Sequence, residues 1–361
     1  MRYRNKLLFL LLVLLLLVII QYSVPNHPEI VSWYSDFIFL PFQTFRNTIF
    51  GIIPFSIGDI LYSIAAVGVI VIIVRWLYLI IRVKTHVHTL NFSLIRTVST
   101  IGVLYIIFFA GWGGNYYKPT LSKYWKLDKG VVDKDSDLIQ FDMYLLNKLN
   151  DFAPHYHALS FKEINSRAQM YYHQYTDSKT RLHVLKVKPS VFGFFMQYIG
   201  IQGYYNPFTG EAQLNRYQPA FMLPFVICHE MAHQAGIAAE GDANLMAYAL
   251  GTTSKDTSFN YSCYLNLWLY TNSRLRLIDS NMANNFRNNL NAISRKQLDT
   301  LRNIRYRYQS EVGYYSTQLY DSYLRWHHQK EGIESYSKVA STAWRWEQRH
   351  MLQKDSIIRM P

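Results

Sequence analysis

The stretch Leu223-Pro224-Phe225-Val226-Ile227-Cys228-His229-Glu230-Met231-Ala232-His233-Gln234-Ala235-Gly236, running on to Glu240-Gly241-Asp242-Ala243-Asn244, decides how the rest of the chain is read. Residues four apart on an α-helix differ by roughly 40° in direction and about 6 Å in rise, so His229 and His233 aim their rings at one point from one face. Neutral imidazole is a natural zinc ligand. Glu230 stands on the shoulder of that face, where its carboxylate can take a proton from water and later deliver it to a leaving amine. That division of labour is the chemistry of HExxH metallopeptidases. The apolar run 219–228 predicts a buried approach to the helix, and Pro224 suits a first helical turn.

A catalytic zinc keeps three protein ligands and one open position, so the two histidines need an acid. On an unbroken helix Glu240 would lie about 10 Å beyond His233 along the axis, too far to share an ion. The chain must turn first. Gly236 is the residue best able to end the helix, because glycine adopts the left-handed C-terminal conformation without strain. In a second helix starting near Glu240, Glu240 and Asn244 share a face while Asp242 points about 200° away. Glu240 is therefore the expected third ligand and Asp242 the substitute, since the register at Gly241 is open. Asn244 is expected to orient a histidine or Glu240 by hydrogen bonding. Ala239 occupies the place where an HExxHxxGxxH enzyme carries its third histidine, which excludes that version. The competing reading is a pair of structural histidines in a buried helix.

Three further pieces are distinctive: Ile53-Pro54-Phe55-Ser56-Ile57-Gly58-Asp59-Ile60-Leu61-Tyr62, Gly203-Tyr204-Tyr205-Asn206-Pro207-Phe208-Thr209-Gly210-Glu211-Ala212 and Gln329-Lys330-Glu331-Gly332-Ile333-Glu334-Ser335-Tyr336-Ser337-Lys338-Val339. With residues 223–244 they make the chain resemble a family of bacterial membrane proteins known as domain of unknown function 3810, whose members carry a zinc-peptidase-like HExxH motif. The acid-rich stretch of that family typically runs Glu-x-Glu-Ala-Asn. Here the first acid is Glu240 and the second is shortened to Asp242. The stretch also resembles the Glu-x-x-x-Asp element of zinc peptidases whose third ligand is Glu, with Asn244 where Asp is usual. The resemblance implies a zincin-like class and no substrate.

Three long apolar runs occupy the first third of the chain, at about 7–24, 57–78 and 98–113, each near the length that spans a bilayer. The first follows Arg2, Arg4 and Lys6, is long for a signal-peptide core and lacks a small-residue cleavage site, so it is read as an anchor. Arg75, Arg82, Lys84 and Arg96 cluster around the second turn, whereas the connection 25–56 contains only Arg46. Positive residues favour the cytoplasm. The expectation is a multi-pass protein of the bacterial cytoplasmic (inner) membrane, with residues 1–114 as anchor, the N-terminus inside, and residues 115–361 as an extracytoplasmic or periplasmic domain. The apolar connection 25–56 is broken by Pro41 and Pro54 and is expected in the outer interface or against the outer domain.

The outer part is large enough for one domain with its own core. Helical patterns cover 136–150, 160–175, 219–236, 240–251, 259–279, 282–293, 295–310 and 314–329. Residues 190–200 and 203–215 differ, with glycines, aromatics and the turn Asn206-Pro207-Phe208-Thr209-Gly210, and read as a hairpin. Residues 210–215 are the expected strand for pairing with substrate backbone. The fold class expected is mainly α: three transmembrane helices, then a zincin-like α+β domain with a small hairpin or sheet beside the HExxH helix.

The net charge of +13 is partly cytosolic anchor and otherwise scattered over helices, without a compact groove-reading motif, so nucleic-acid binding is disfavoured. Cys228 and Cys263 are read as buried thiols rather than a bridge. Tyr336, His327 and His328 are candidates, by residue type alone, for stabilising an oxyanion. The expected function is a membrane-anchored, zinc-dependent, metallopeptidase-like hydrolase of a peptide or protein substrate. Its rival is a non-catalytic tethered envelope protein that keeps the zinc as a clamp or binds a partner. An intramembrane protease is disfavoured because only about ten apolar residues precede His229, and a transporter because the spans lack paired charges.

Overall fold

The structure is a computed structural model that describes residues 2–127, 135–175, 186–326 and 335–353. The chain divides into two units, Met1–Lys118 with Asn206–Gly210, and Pro119–Tyr205 with Glu211–Pro361.

The first unit holds α1 (Arg2–Asn26), α2 (Pro28–Tyr34), α3 (Leu40–Phe50), α4 (Ile57–Ile81) and α5 (Val83–Gly111). Three of these, over Tyr3–Val24, Ile57–Ile81 and Val83–Gly111, are long and apolar enough to cross a membrane. The 25 residues of α4 extend about 37 Å, beyond the ~30 Å of a hydrocarbon core. Their leucines, isoleucines and valines are mostly exposed, an arrangement compatible with membrane insertion. Gly102 lets α5 approach α1, since a methyl group there would overlap Val13.

Two expectations for this unit need correction. The third apolar helix begins at Val83 rather than near 98, with non-helical backbone at His86, because the polar residues of its first turns keep the helical period even though they weaken the hydropathy signal. Pro41 does not break the connection. A π-turn over Ser35–Phe39 precedes it, Leu40 N–H bonds back to Ser35 O, and the ring falls in the first turn of α3, where no intrahelical N–H is required. One face of this connection packs on the unit's own aromatics: Phe39 lies 6.5 Å from Tyr34 and 6.0 Å from Trp112, ring to ring. The fully buried Arg46 donates to the carbonyls of Pro207 and Gly111 and to Gln43 Oε1, and Gln43 Nε2 donates to Gly210 O at 3.1 Å.

The second unit comprises α6 (Leu121–Tyr124), α7 (Asp135–Phe152), α8 (Phe161–Tyr175), α9 (Gly193–Ile199), α10 (Leu223–Gln234), α11 (Glu240–Thr253), α12 (Thr257–Ile278), α13 (Ser280–Asn288), α14 (Ala292–Tyr308), α15 (Glu311–Trp326) and α16 (Ser335–Gln353). The sequence patterns foresaw most of these to within a few residues, but not α6, α9 or α16. Its strands are β1 (Lys188–Pro189), β2 (Gly203–Tyr205) and β3 (Ala212–Leu214), in the order β1-β3-β2. β3 pairs parallel with β1 and antiparallel with β2. The strand expected to take substrate, 210–215, is thus the central one, with both edges used. β2 is at the edge.

α12 lies at the centre of the helical core, with α7, α10, α11 and α16 against it. Its polar side chains serve its neighbours. Ser262 Oγ accepts the Phe225 N–H at 3.2 Å, satisfying a donor that the first turn of α10 leaves open. Thr271 and Asn272 each donate to the buried Asp142 of α7 at 3.0 Å. Gly251 brings α11 so close to α12 that a Cβ would overlap Cys263 Sγ. Cys228 and Cys263 are free, buried thiols.

Candidate metal centre

α10 starts with Pro224 in its first turn and is buried on nearly all sides, which suits its apolar first half. It ends in a Schellman turn: Gly236, at φ +87°, donates to His233 O at 2.9 Å and Ile237 N–H donates to Ala232 O at 3.1 Å. This turn does two things. It frees Ile237 O to face His233 Nδ1 at 2.7 Å, and it sends the chain back so that α11 opens with Glu240.

His229 Nε2 and His233 Nε2 lie 3.2 Å apart, and the Glu240 carboxylate reaches both, at 3.2 Å from His229 and 3.7 Å from His233. The three residues offer ligand atoms that all lie within 4.8 Å of one another. Tetrahedral zinc with bonds of about 2.05 Å separates its ligand atoms by roughly 3.3 Å, so the spacing fits such an ion. The outer nitrogens agree with this fit. His229 Nδ1 faces Asn244 Oδ1 at 2.9 Å and His233 Nδ1 faces a carbonyl, which places the ring protons outward and turns both Nε2 lone pairs toward the carboxylate. Three such atoms facing one another in a buried space can hold a cation.

Burial disfavours a charge on His229, but Glu240, Glu230 and Asn244 outweigh it and lift its pKa above the usual value. For His233 burial prevails, and its pKa falls to about 4. Glu230 is pushed up to about 8, by burial first and by Glu240 second, against the pull of His229. Its Oε2 is buried and has no hydrogen-bond partner among the described residues. Its other oxygen lies against Gly203 of β2, where a Cβ would sit only 2.5 Å away. Asp242 sits in the first turn of α11 and is not a member of this group.

Three contributors were missed by sequence reasoning. Gly203 was visible only as part of a hairpin, and Ile237 O is a backbone atom without side-chain signature. Tyr270 of α12 has its pKa raised by burial and by the charge of Glu240, which places its phenol within electrostatic reach of the centre. His327 and His328 lie outside the described residues, and Tyr336 is the second residue of α16, its side chain likewise undescribed.

No curated protein and no solved structure matches the chain. A family model described as a protein of unknown function, DUF3810, matches residues 34–342, a span that runs from the end of α2 into α16 and includes every member of the metal group. The chain belongs to the DUF3810 family.

Proposed function

We propose that the protein is a membrane-anchored, zinc-dependent hydrolase of peptide bonds, zincin-like in its active helix, acting on a peptide or protein outside the bacterial cytoplasmic membrane. The observation that carries this reading is the convergence of His229, His233 and Glu240 from two helices, with a carboxylate oxygen of Glu230, the residue after His229, that has no hydrogen-bond partner among the described residues. Zinc at this point supplies a Lewis acid that lowers the pKa of water and polarises a carbonyl.

The chain's own residues supply the rest. Asn244 Oδ1 and Ile237 O hold the two rings in the tautomer that leaves Nε2 available. Glu230 accepts the proton of the attacking water at its carboxylate and returns it to the departing amine. Gly203 keeps the space beside that carboxylate narrow without filling it. The three apolar helices and the lysines and arginines around the first and second of them support an inner-membrane protein with the N-terminus inside.

The test uses the purified full chain. Zinc content near one ion per chain is expected in the parent and in Glu230→Gln, with a large loss in His233→Ala. Cleavage of a quenched-fluorescent peptide library is expected from the parent alone. Zinc content unchanged in His233→Ala defeats the ligand assignment, and zinc retained without cleavage by the parent favours the non-catalytic clamp.

A further inference from the structure

α9 is a short helix with its apolar side outward. Phe194, Phe195 and Tyr198 lie along one side of α9, Val191 stands in the turn just before it, and all four are exposed, Val191 to 70% and Phe194 to 56%. Its inward side is closed by the buried Gly193, Met196 and Gln197. The exposed rings belong to a connected aromatic group. Phe194 lies 5.5 Å from Tyr198 and 6.3 Å from Tyr217, and Tyr198 lies 5.1 Å from Tyr308 of α14. Ser310 Oγ donates to Tyr198 O at 2.9 Å and pins the end of α9 to the start of α15.

Charge near this face is mainly basic, with two arginines beside one exposed acid, Glu311 at the start of α15. No charged residue occurs from Ser190 to Gln202. At the rim, the Arg216 guanidinium lies 5.3 Å over the Tyr217 ring, and Arg305 is exposed three residues before Tyr308 on α14. Clustered Phe and Tyr edged by arginine is the chemistry of a bilayer interface, where rings enter the headgroup level and guanidinium groups meet phosphate. The exposed side chains of the face are Val, Phe and Tyr. The same chain also carries three helices suited to a bilayer, so a lipid surface is the partner always at hand.

We infer that the outward face of α9, Phe194, Phe195 and Tyr198, with Val191 in the turn before it and rimmed by Tyr217 and Arg216, dips into the headgroup layer of an anionic phospholipid bilayer. α9 passes through Gly200, at φ +71°, into β2, whose Gly203 touches Glu230. Lipid contact and the candidate metal centre are thus joined by a few residues of chain. The inference holds whether or not the centre hydrolyses peptides.

The experiment uses the full chain in nanodiscs, with a nitroxide on Phe195→Cys or, independently, on Val191→Cys. Both native cysteines are fully buried, so the added thiol takes the label. Lys296→Cys, on an exposed position of α14, is the aqueous reference. In discs containing phosphatidylglycerol, the ratio of collisions with oxygen to collisions with a water-soluble nickel chelate is expected to be several-fold higher at 195 and 191 than at 296. Arg216→Gln should lower that ratio at 195. Equal ratios at all three positions would overturn the proposal, as would labels at 195 and 191 shielded from both reagents, which would mean a protein covers the face. Equal insertion into purely zwitterionic discs would overturn the anionic requirement.

Discussion

At the residue scale, the centre depends on atoms that hold other atoms in place. His229 and His233 present Nε2 inward because each Nδ1 has an oxygen to face, and only one of these oxygens belongs to a side chain. Asn244→Ala removes it while leaving the ligands and the core volume nearly intact. Zinc affinity, measured by chelator competition, should fall by about 10–100-fold, the range found for such orienting partners. An unchanged affinity would mean that the His229 ring is held by packing alone. The histidine pair was readable from sequence because four-residue spacing on a helix is a local property. The contact of Gly203 with Glu230 was not, because it joins residues 27 positions apart whose approach depends on how β2 lies against α10.

At the scale of elements, the turn between α10 and α11 decides which acid closes the group. Gly236 at φ +87° occupies backbone space that an L side chain enters only at a cost of about 1 kcal/mol. Gly236→Ala is therefore expected to lower the melting temperature by a few degrees and, by displacing Ile237 O and Glu240, to weaken zinc binding more than the stability loss alone explains. A variant that loses stability but binds zinc as tightly as the parent would show that the turn is only structural. The glycine was legible as a helix stop, since its conformational freedom is its own property. The sheet was less so. Alternation within residues 210–215 indicates a strand but says nothing about its neighbours, and β1, 23 residues or more away in sequence, is what occupies the second edge of β3.

At the scale of the molecule, stability of the second unit carries a pH signature from Asp142. This carboxyl is buried, and burial raises its pKa from 3.8 to about 6 against the pull of Asn272 and Thr271. An acid whose folded pKa lies above its unfolded one favours folding while it is protonated, fully below about pH 4, and loses that contribution as pH rises to about 6. The change is worth about 3 kcal/mol. The stability difference between the parent and Asp142→Asn, from chemical denaturation of the full chain at several pH values, should shift by about that amount between pH 4 and pH 7, moving against the parent. A difference independent of pH would show that Asp142 ionises as freely folded as unfolded.

By itself the sequence determined whatever a single stretch of chain can settle. Three runs are long and apolar enough to cross a membrane as helices, two rings share a helical face, and a glycine must end that helix; each follows from composition or period within about 25 residues. The tertiary structure alone decided that β2 and not 210–215 forms the edge beside Glu230, and that Arg46 is buried among the carbonyls of Pro207 and Gly111. These are meetings between distant segments, set by how whole elements pack, and no local propensity encodes which partner a buried charge or a strand edge will find.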